Sequence, residues 1–152
     1  MKVLIAYDTT FGNTESVARE IAGALGKRFE VTCKRADEVE IPELRDADLV
    51  LVGGPTHFWG MSGRVKKFFD RLEGESFGGK LAAAFDTKYP YPLSGSAAPG
   101  IERRLRELGF KIVVPYMSFY IKGGKGPLGE GELKKCARFA ENIAGAAGTQ
   151  EL

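Results

Sequence analysis

Apolar positions along the chain follow two rhythms. Residues 3–7, 49–52 and 81–85 are short continuous apolar runs, each followed by a glycine or polar turn and then by helical spacing. Runs of that length without alternation fit strands buried on both faces. Residues 29–34, Phe-Glu-Val-Thr-Cys-Lys, instead alternate apolar and polar and predict an edge strand. Residues 111–115, continued through Tyr120 and Ile121, predict a fifth strand of mixed polarity at the other edge. Between the strands, Val17, Ile21 and Leu25 form one apolar stripe ended by Gly26, and Val65, Phe68, Phe69 and Leu72 form a second behind a Ser62 cap. Ile101, Leu105 and Leu108 predict a third helix, started near Ser96 with Pro99 in its first turn and stopped by Gly109. Leu133, Cys136, Ala140 and Ile143 predict the last helix, and residues 41–46 a short helical crossover. Strands alternating with helices give an α/β fold, a three-layer, doubly wound, five-stranded parallel sheet whose edge assignments fit the order 2-1-3-4-5. In such a sheet ligands gather at the loops where the order reverses, here those after strands 1, 3 and 4.

Length and charge narrow the classes. The 152 residues suit one domain with a single sizeable core, spanning 1–152. Lysine and arginine number 22 against 20 acidic residues, a net charge of +2, with both signs interleaved, which argues against nucleic acid as a partner. Cys33 and Cys136 lie far apart without metal-type spacing and read as buried filler. The first residues run straight into a strand, and no apolar run approaches membrane-spanning length, so the expectation is a cytoplasmic protein without membrane insertion.

The first of the three loops carries the most chemistry. In Ala-Tyr-Asp-Thr-Thr-Phe-Gly-Asn-Thr, residues 6–14, the hydroxyls of Thr9, Thr10 and Thr14, the Asn13 amide and Gly12 fall between a strand and a helix. They predict a cradle that offers neutral side-chain and backbone donors to a small phosphate at the positive helix end. A Walker loop would need Gly-Lys-Ser/Thr, and the dinucleotide fingerprint needs three glycines; neither is met. The other reading is a hydroxyl-rich turn with Thr14 as helix N-cap.

These residues resemble the flavodoxin loop Ser/Thr-x-Thr-Gly-x-Thr, with Thr9, Gly12, Asn13 and Thr14 on the pattern and Phe11 in place of a hydroxyl residue. Tyr-Asp-Thr-x-aromatic-Gly is similar to the flavodoxin domains of flavodiiron proteins. The resemblance implies bound FMN, and the flavodoxins are themselves a standard illustration of the 2-1-3-4-5 order with FMN at its switch point.

The second loop, Gly53-Gly-Pro-Thr-His-Phe-Trp-Gly-Met-Ser-Gly63, holds the single tryptophan and the single histidine. Consecutive Phe58 and Trp59 between glycines fit a cover for a flat ring, or else packing onto the core. By the resemblance, Pro55, Thr56, His57, Phe58, Trp59 and Gly60 meet the flavin, with Gly60 letting the peptide beside N5 rotate with redox state. His57 is assigned contact without catalysis. The stretch from Pro55 to Gly63 also resembles the Pro-Thr-x-Phe-Gly-Asn-Met-Ser-Gly run of tryptophan-repressor-binding-type NAD(P)H:quinone oxidoreductases.

The third loop, Asp86-Thr87-Lys88-Tyr89, resembles the flavodoxin Asp-x-x-Tyr after strand 4, implying backbone donors at the pyrimidine edge and a stacked tyrosine. Pro90 and Pro92 leave open whether Tyr89 or Tyr91 stacks. Gly124-Lys-Gly-Pro-Leu-Gly129 spells G-x-G-x-x-G but follows the last strand, and Pro127 removes a donor, so it reads as a connector. A response-regulator receiver is excluded because Gly53, Gly54 and Pro55 stand where its aspartate would be. The expected function is FMN-based electron transfer with redox proteins or small electron acceptors. An FMN-dependent quinone reductase and a flavin-free interaction module are the alternatives.

Overall fold

The computed structural model describes residues 1–151. The chain runs β1 (Lys2–Tyr7), α1 (Asn13–Leu25), β2 (Glu30–Arg35), α2 (Ile41–Asp46), β3 (Leu49–His57), β4 (Gly60–Met61), α3 (Gly63–Arg71), β5 (Leu81–Lys88), α4 (Ala98–Glu107), β6 (Lys111–Ile112), β7 (Met117–Tyr120) and α5 (Glu132–Glu151). The parallel sheet has the order β2-β1-β3-β5-β6, which is the predicted 2-1-3-4-5 with β5 as the fourth strand of the sequence pattern.

Alternation along the buried strands sorts side chains to two cores. Leu4, Ala6, Val50, Val52, Ala82 and Ala84 face α3 and α4, joining Val65, Phe68, Phe69, Ile101 and Leu105. Val3, Ile5, Tyr7, Leu49, Leu51, Ala83 and Phe85 face α1 and α5, joining Val17, Ile21, Leu25, Cys136, Phe139 and Ile143. The three central strands are therefore apolar on both faces, and their continuous runs follow from that. Leu133, placed on the α5 stripe by spacing, is about half exposed instead.

The fifth strand differs from its prediction. It is divided into β6, which pairs with Leu81 and Ala82, and β7, which pairs with residues 85–88. Four residues, 113–116, stand opposite two, Ala83 and Ala84, and Pro115 among them has no N–H for a ladder. The interruption re-registers β7 so that Tyr120 lies beside Lys88 at the ligand edge of the sheet.

Candidate functional site

At the β1–α1 junction the chain turns into the helix through Gly12, whose φ of 91° is a left-handed conformation. The Gly12 N–H donates to Thr9 Oγ1 at 2.9 Å, and the Gly12 carbonyl accepts the Ser16 N–H at 3.0 Å, the first bond of α1. Gly12, not Thr14, is therefore the N-cap, and its side-chain-free start leaves the first-turn amides pointing out of the helix end. Thr14 is buried, with its hydroxyl 2.8 Å from that of Thr87. This bond ties the first loop to the third. Thr10 Oγ1 lies 3.5 Å from His57 Nε2, between the first loop and the second.

The second loop folds as a hairpin. His57 pairs with Gly60 of antiparallel β4, so Phe58 and Trp59 form a two-residue turn. Both have positive φ, 49° and 66°, the pattern of a type I′ turn in which glycine and asparagine are the usual occupants. Phe58 at the tip is 96 % exposed and Trp59 68 %. Trp59 is held from the side: its indole N–H donates to the Leu93 carbonyl at 2.8 Å, and its backbone bridges Gly95. A Cβ at position 95 would stand 2.4 Å from Trp59 Cα, so only glycine allows this approach. Gly60 itself is strand residue rather than turn, and positive φ belongs to the two aromatics before it.

The third loop is tied to α4. Asp86 is fully buried; its Oδ2 accepts from Ser96 Oγ at 2.5 Å and from the Ala98 N–H at 2.9 Å, which satisfies a first-turn donor of α4. Thr56 Oγ1 accepts the Ala97 N–H at 3.1 Å. Ser96 thus serves Asp86 instead of capping α4, whose N-cap is Ala97. Ser62 does cap α3, accepting the Val65 N–H at 3.4 Å while donating to the buried Asp8 carboxylate at 2.7 Å.

These loops enclose a cavity of about 680 Å³, within the roughly 300–1,000 Å³ of small-molecule sites. Thr9, Thr10, Phe11, Asn13, Thr14, Pro55, Thr56, His57, Phe58, Trp59, Thr87, Lys88 and Tyr89 line it. Gly12, Gly60 and Asp86 do not: the first is the helix cap, the second is paired in β4, and the third is turned inward to α4. Tyr89 faces the cavity, whereas Tyr91 stands outside it, its ring 6.4 Å from that of Tyr89 and nearly parallel. Leu93, Ser94, Ile121 and Gly124 also line it and are not among the residues that the sequence assigns to the site. Ile121 follows β7 directly and Gly124 opens the segment that reads as a connector, so β7 delivers both to this edge. Lys88 is the charged residue of the lining.

Behind the first loop, Tyr7 donates to Glu15 at 2.5 Å and Arg19 pairs with the same carboxylate oxygen at 3.1 Å. Burial, then the Glu15 bond, pushes the Tyr7 phenol up to about 12. The hydrogen bond from Tyr7, followed by that from Arg19, holds the Glu15 carboxyl below its usual range.

A parallel sheet whose order reverses between β1 and β3, with a largely apolar cavity over the start of α1, defines a mononucleotide-binding α/β protein. The family model described as flavodoxin matches residues 5–141, and the chain belongs to the flavodoxin family of FMN-binding electron-transfer proteins. A flavodoxin of Aquifex aeolicus is 32 % identical over 94 % of this chain and 85 % of its own length. Oxidised flavodoxin 2 of Bacillus cereus superposes with a TM-score of 0.84, at 30 % identity over 95 % of this chain and 99 % of that one. A flavodiiron core from Synechocystis shares the fold, with a TM-score of 0.77 at 20 % identity, over 98 % of this chain and 36 % of that one.

Proposed function

We propose that the cavity holds FMN with its phosphate at the start of α1, and that the chain passes electrons one at a time to redox proteins or small acceptors. The observation that carries this reading is the union, in one cavity, of a helix start ringed by neutral donors with two aromatic side chains on different loops. The residues present fit the cofactor. Thr9, Thr10, Asn13, Thr14 and the free amides of the first turn suit the phosphate, and Thr14 keeps a hydroxyl hydrogen for it when Thr87 donates the bond between them. Trp59 and Tyr89 suit the ring faces, with Pro55, Thr56, His57 and Phe58 along one side and Thr87 and Lys88 along another. Bound FMN supplies the reversible electron chemistry.

The protein's own part is positioning and electrostatics. Indole and phenol side chains cover the ring and exclude water, and the Leu93 carbonyl fixes the indole. Lys88 favours the negative charge that reduction adds, and no carboxylate among the described residues lines the cavity to oppose it. This sets an expectation of a less negative low potential than in an acidic flavodoxin. A cytoplasmic setting suits the two unpaired thiols, Cys33 and Cys136. No helix among the described residues is long and apolar enough to cross a membrane.

The test is stepwise reductive titration of the FMN-loaded protein, followed by visible absorption, together with NAD(P)H:benzoquinone turnover. Two separable one-electron stages and slow turnover are expected. A single two-electron stage with rapid turnover would make the protein a quinone reductase. Failure to bind FMN would leave the interaction module.

A further inference from the structure

The cradle at residues 9–14 contains no cation, although the group it suits is a dianion. Charge reaches it from elsewhere. After β7 the chain makes a tight return in which Lys122 N donates to the Pro127 carbonyl at 2.9 Å, Gly126 N to Gly123 at 3.1 Å and Gly129 N to Tyr120 at 2.8 Å. Its inner side, Ile121 and Gly124, lines the cavity. Its tip rests on the first turn of α1: Asn13 Nδ2 donates to the Lys125 carbonyl at 3.2 Å. Gly126, with a φ of 102°, lies so near that a Cβ there would stand 2.5 Å from Asn13 Oδ1.

This contact fixes the backbone of Lys125 beside the residues assigned to the phosphate. Its ammonium sits 5.8 Å from the centroid of Phe11, a cavity residue, and pairs with no carboxylate among the described residues. Lys122 on the same return differs, since Glu130 matches it at 3.9 Å. A cation resting on an exposed phenyl ring is weakly held. The four-carbon stem of lysine lets the ammonium leave that ring while the backbone stays in place.

We propose that Lys125 is the counter-cation of the cofactor phosphate, delivered across the cavity by the return after β7 instead of by the cradle itself. The inference rests on the FMN reading and deepens it. A phosphate dianion at the start of α1 meets first-turn amides and hydroxyls, which solvate it without neutralising it. Lys125 supplies the missing positive charge from the solvent side, and Asn13 positions it by holding its carbonyl. Phe11, standing where related loops carry a hydroxyl residue, supports the lysine ammonium at the rim of the cavity.

The test compares FMN and riboflavin, which differ by the phosphate alone, on the unmodified protein and on Lys125→Gln, Lys125→Arg and Lys122→Gln. Dissociation constants are read from flavin fluorescence at low and high salt. Lys125→Gln is expected to weaken FMN roughly tenfold at low salt, to flatten the salt dependence, and to leave riboflavin unchanged. Lys125→Arg should restore most of the difference, and Lys122→Gln should behave as the unmodified protein. An unchanged FMN-to-riboflavin ratio in Lys125→Gln overturns the proposal. So does an equal loss for both ligands, which would make Lys125 part of the wall only, or an equal effect of Lys122→Gln, which would make the charge diffuse. Unmodified protein that does not bind FMN at all would instead overturn the cofactor reading beneath it.

Discussion

At the start of α1 the cavity wall is made of small side chains already bonded to one another, Thr9 to the Gly12 amide and Thr14 to Thr87. Across from it the hairpin tip exposes Phe58 and Trp59 on a backbone of positive φ. The first wall needs only the geometry that every strand-to-helix junction provides, a helix end with unpaired amides and a glycine to turn the corner. The second contradicts local preference, since large aromatic residues are poor occupants of such a turn, and it is held from outside by Leu93 and Gly95. Polar recognition here comes from the fold, whereas the aromatic cover is imposed on it.

The largest way to break this comparison is Thr14→Val. It should weaken FMN at least about tenfold through loss of a charge-assisted hydrogen bond worth roughly 1.5–3 kcal/mol, with riboflavin nearly unaffected. Flavin titrations of both proteins measure it, and equal losses for the two ligands would remove Thr14 from the phosphate. Next in size is Lys88→Gln, which should shift the lower potential negative by roughly 30–60 mV, read by spectroelectrochemistry. An unchanged potential would mean that the ammonium does not feel the ring.

On the aromatic side, Phe58→Gly should raise the urea stability of the apoprotein by about 0.5–1 kcal/mol, because glycine accepts the turn and an exposed phenyl contributes little packing. A loss of stability would show that Phe58 is held by contacts after all. Trp59 emission should also be strongly quenched when FMN is added; constant emission would place the indole away from the ring.

The smallest effect concerns pH, at the Tyr7–Glu15 pair behind the polar wall. The Glu15 carboxyl is depressed in the folded state, so its contribution is present above the ordinary value of 4.5 and is lost as pH falls below it. Solvent screening keeps this under about 0.5 kcal/mol, and Glu15→Gln should flatten the acid limb of stability by that amount. Tyr7 has the opposite sign. Its phenol is raised from 10 to about 12, so its contribution is present below pH 10 and fades toward 12, and Tyr7→Phe should abolish that alkaline limb.

The same contrast explains what the sequence disclosed. Sheet order was legible because β1, β3 and β5 are buried on both faces and read as continuous apolar runs. The short crossover at Ile41–Asp46 and the Ser62 cap were legible for equally local reasons. Hidden features depend on register or on long-range contacts. The split of the fifth strand arises from four residues facing two, which no periodicity reports. Asp86 carries a loop motif that resembles a ligand contact, yet its carboxylate turns inward because α4 presents an unpaired Ala98 amide to it. Leu93 enters the site only through a carbonyl bond to Trp59, and Gly124 only because β7 returns the chain to Asn13.

Four side chains that shape the cavity are fastened to a segment other than their own: Trp59 to Leu93, Thr56 to Ala97, Thr14 to Thr87 and Asn13 to Lys125. Such cross-ties govern inheritance as well as shape. A loop transplanted alone from a relative would arrive without the carbonyl or hydroxyl that its donor partner supplied, and chimaeras should succeed only when tied loops are exchanged together. In this molecule the heritable unit of the site is the pair of loops and the bond between them.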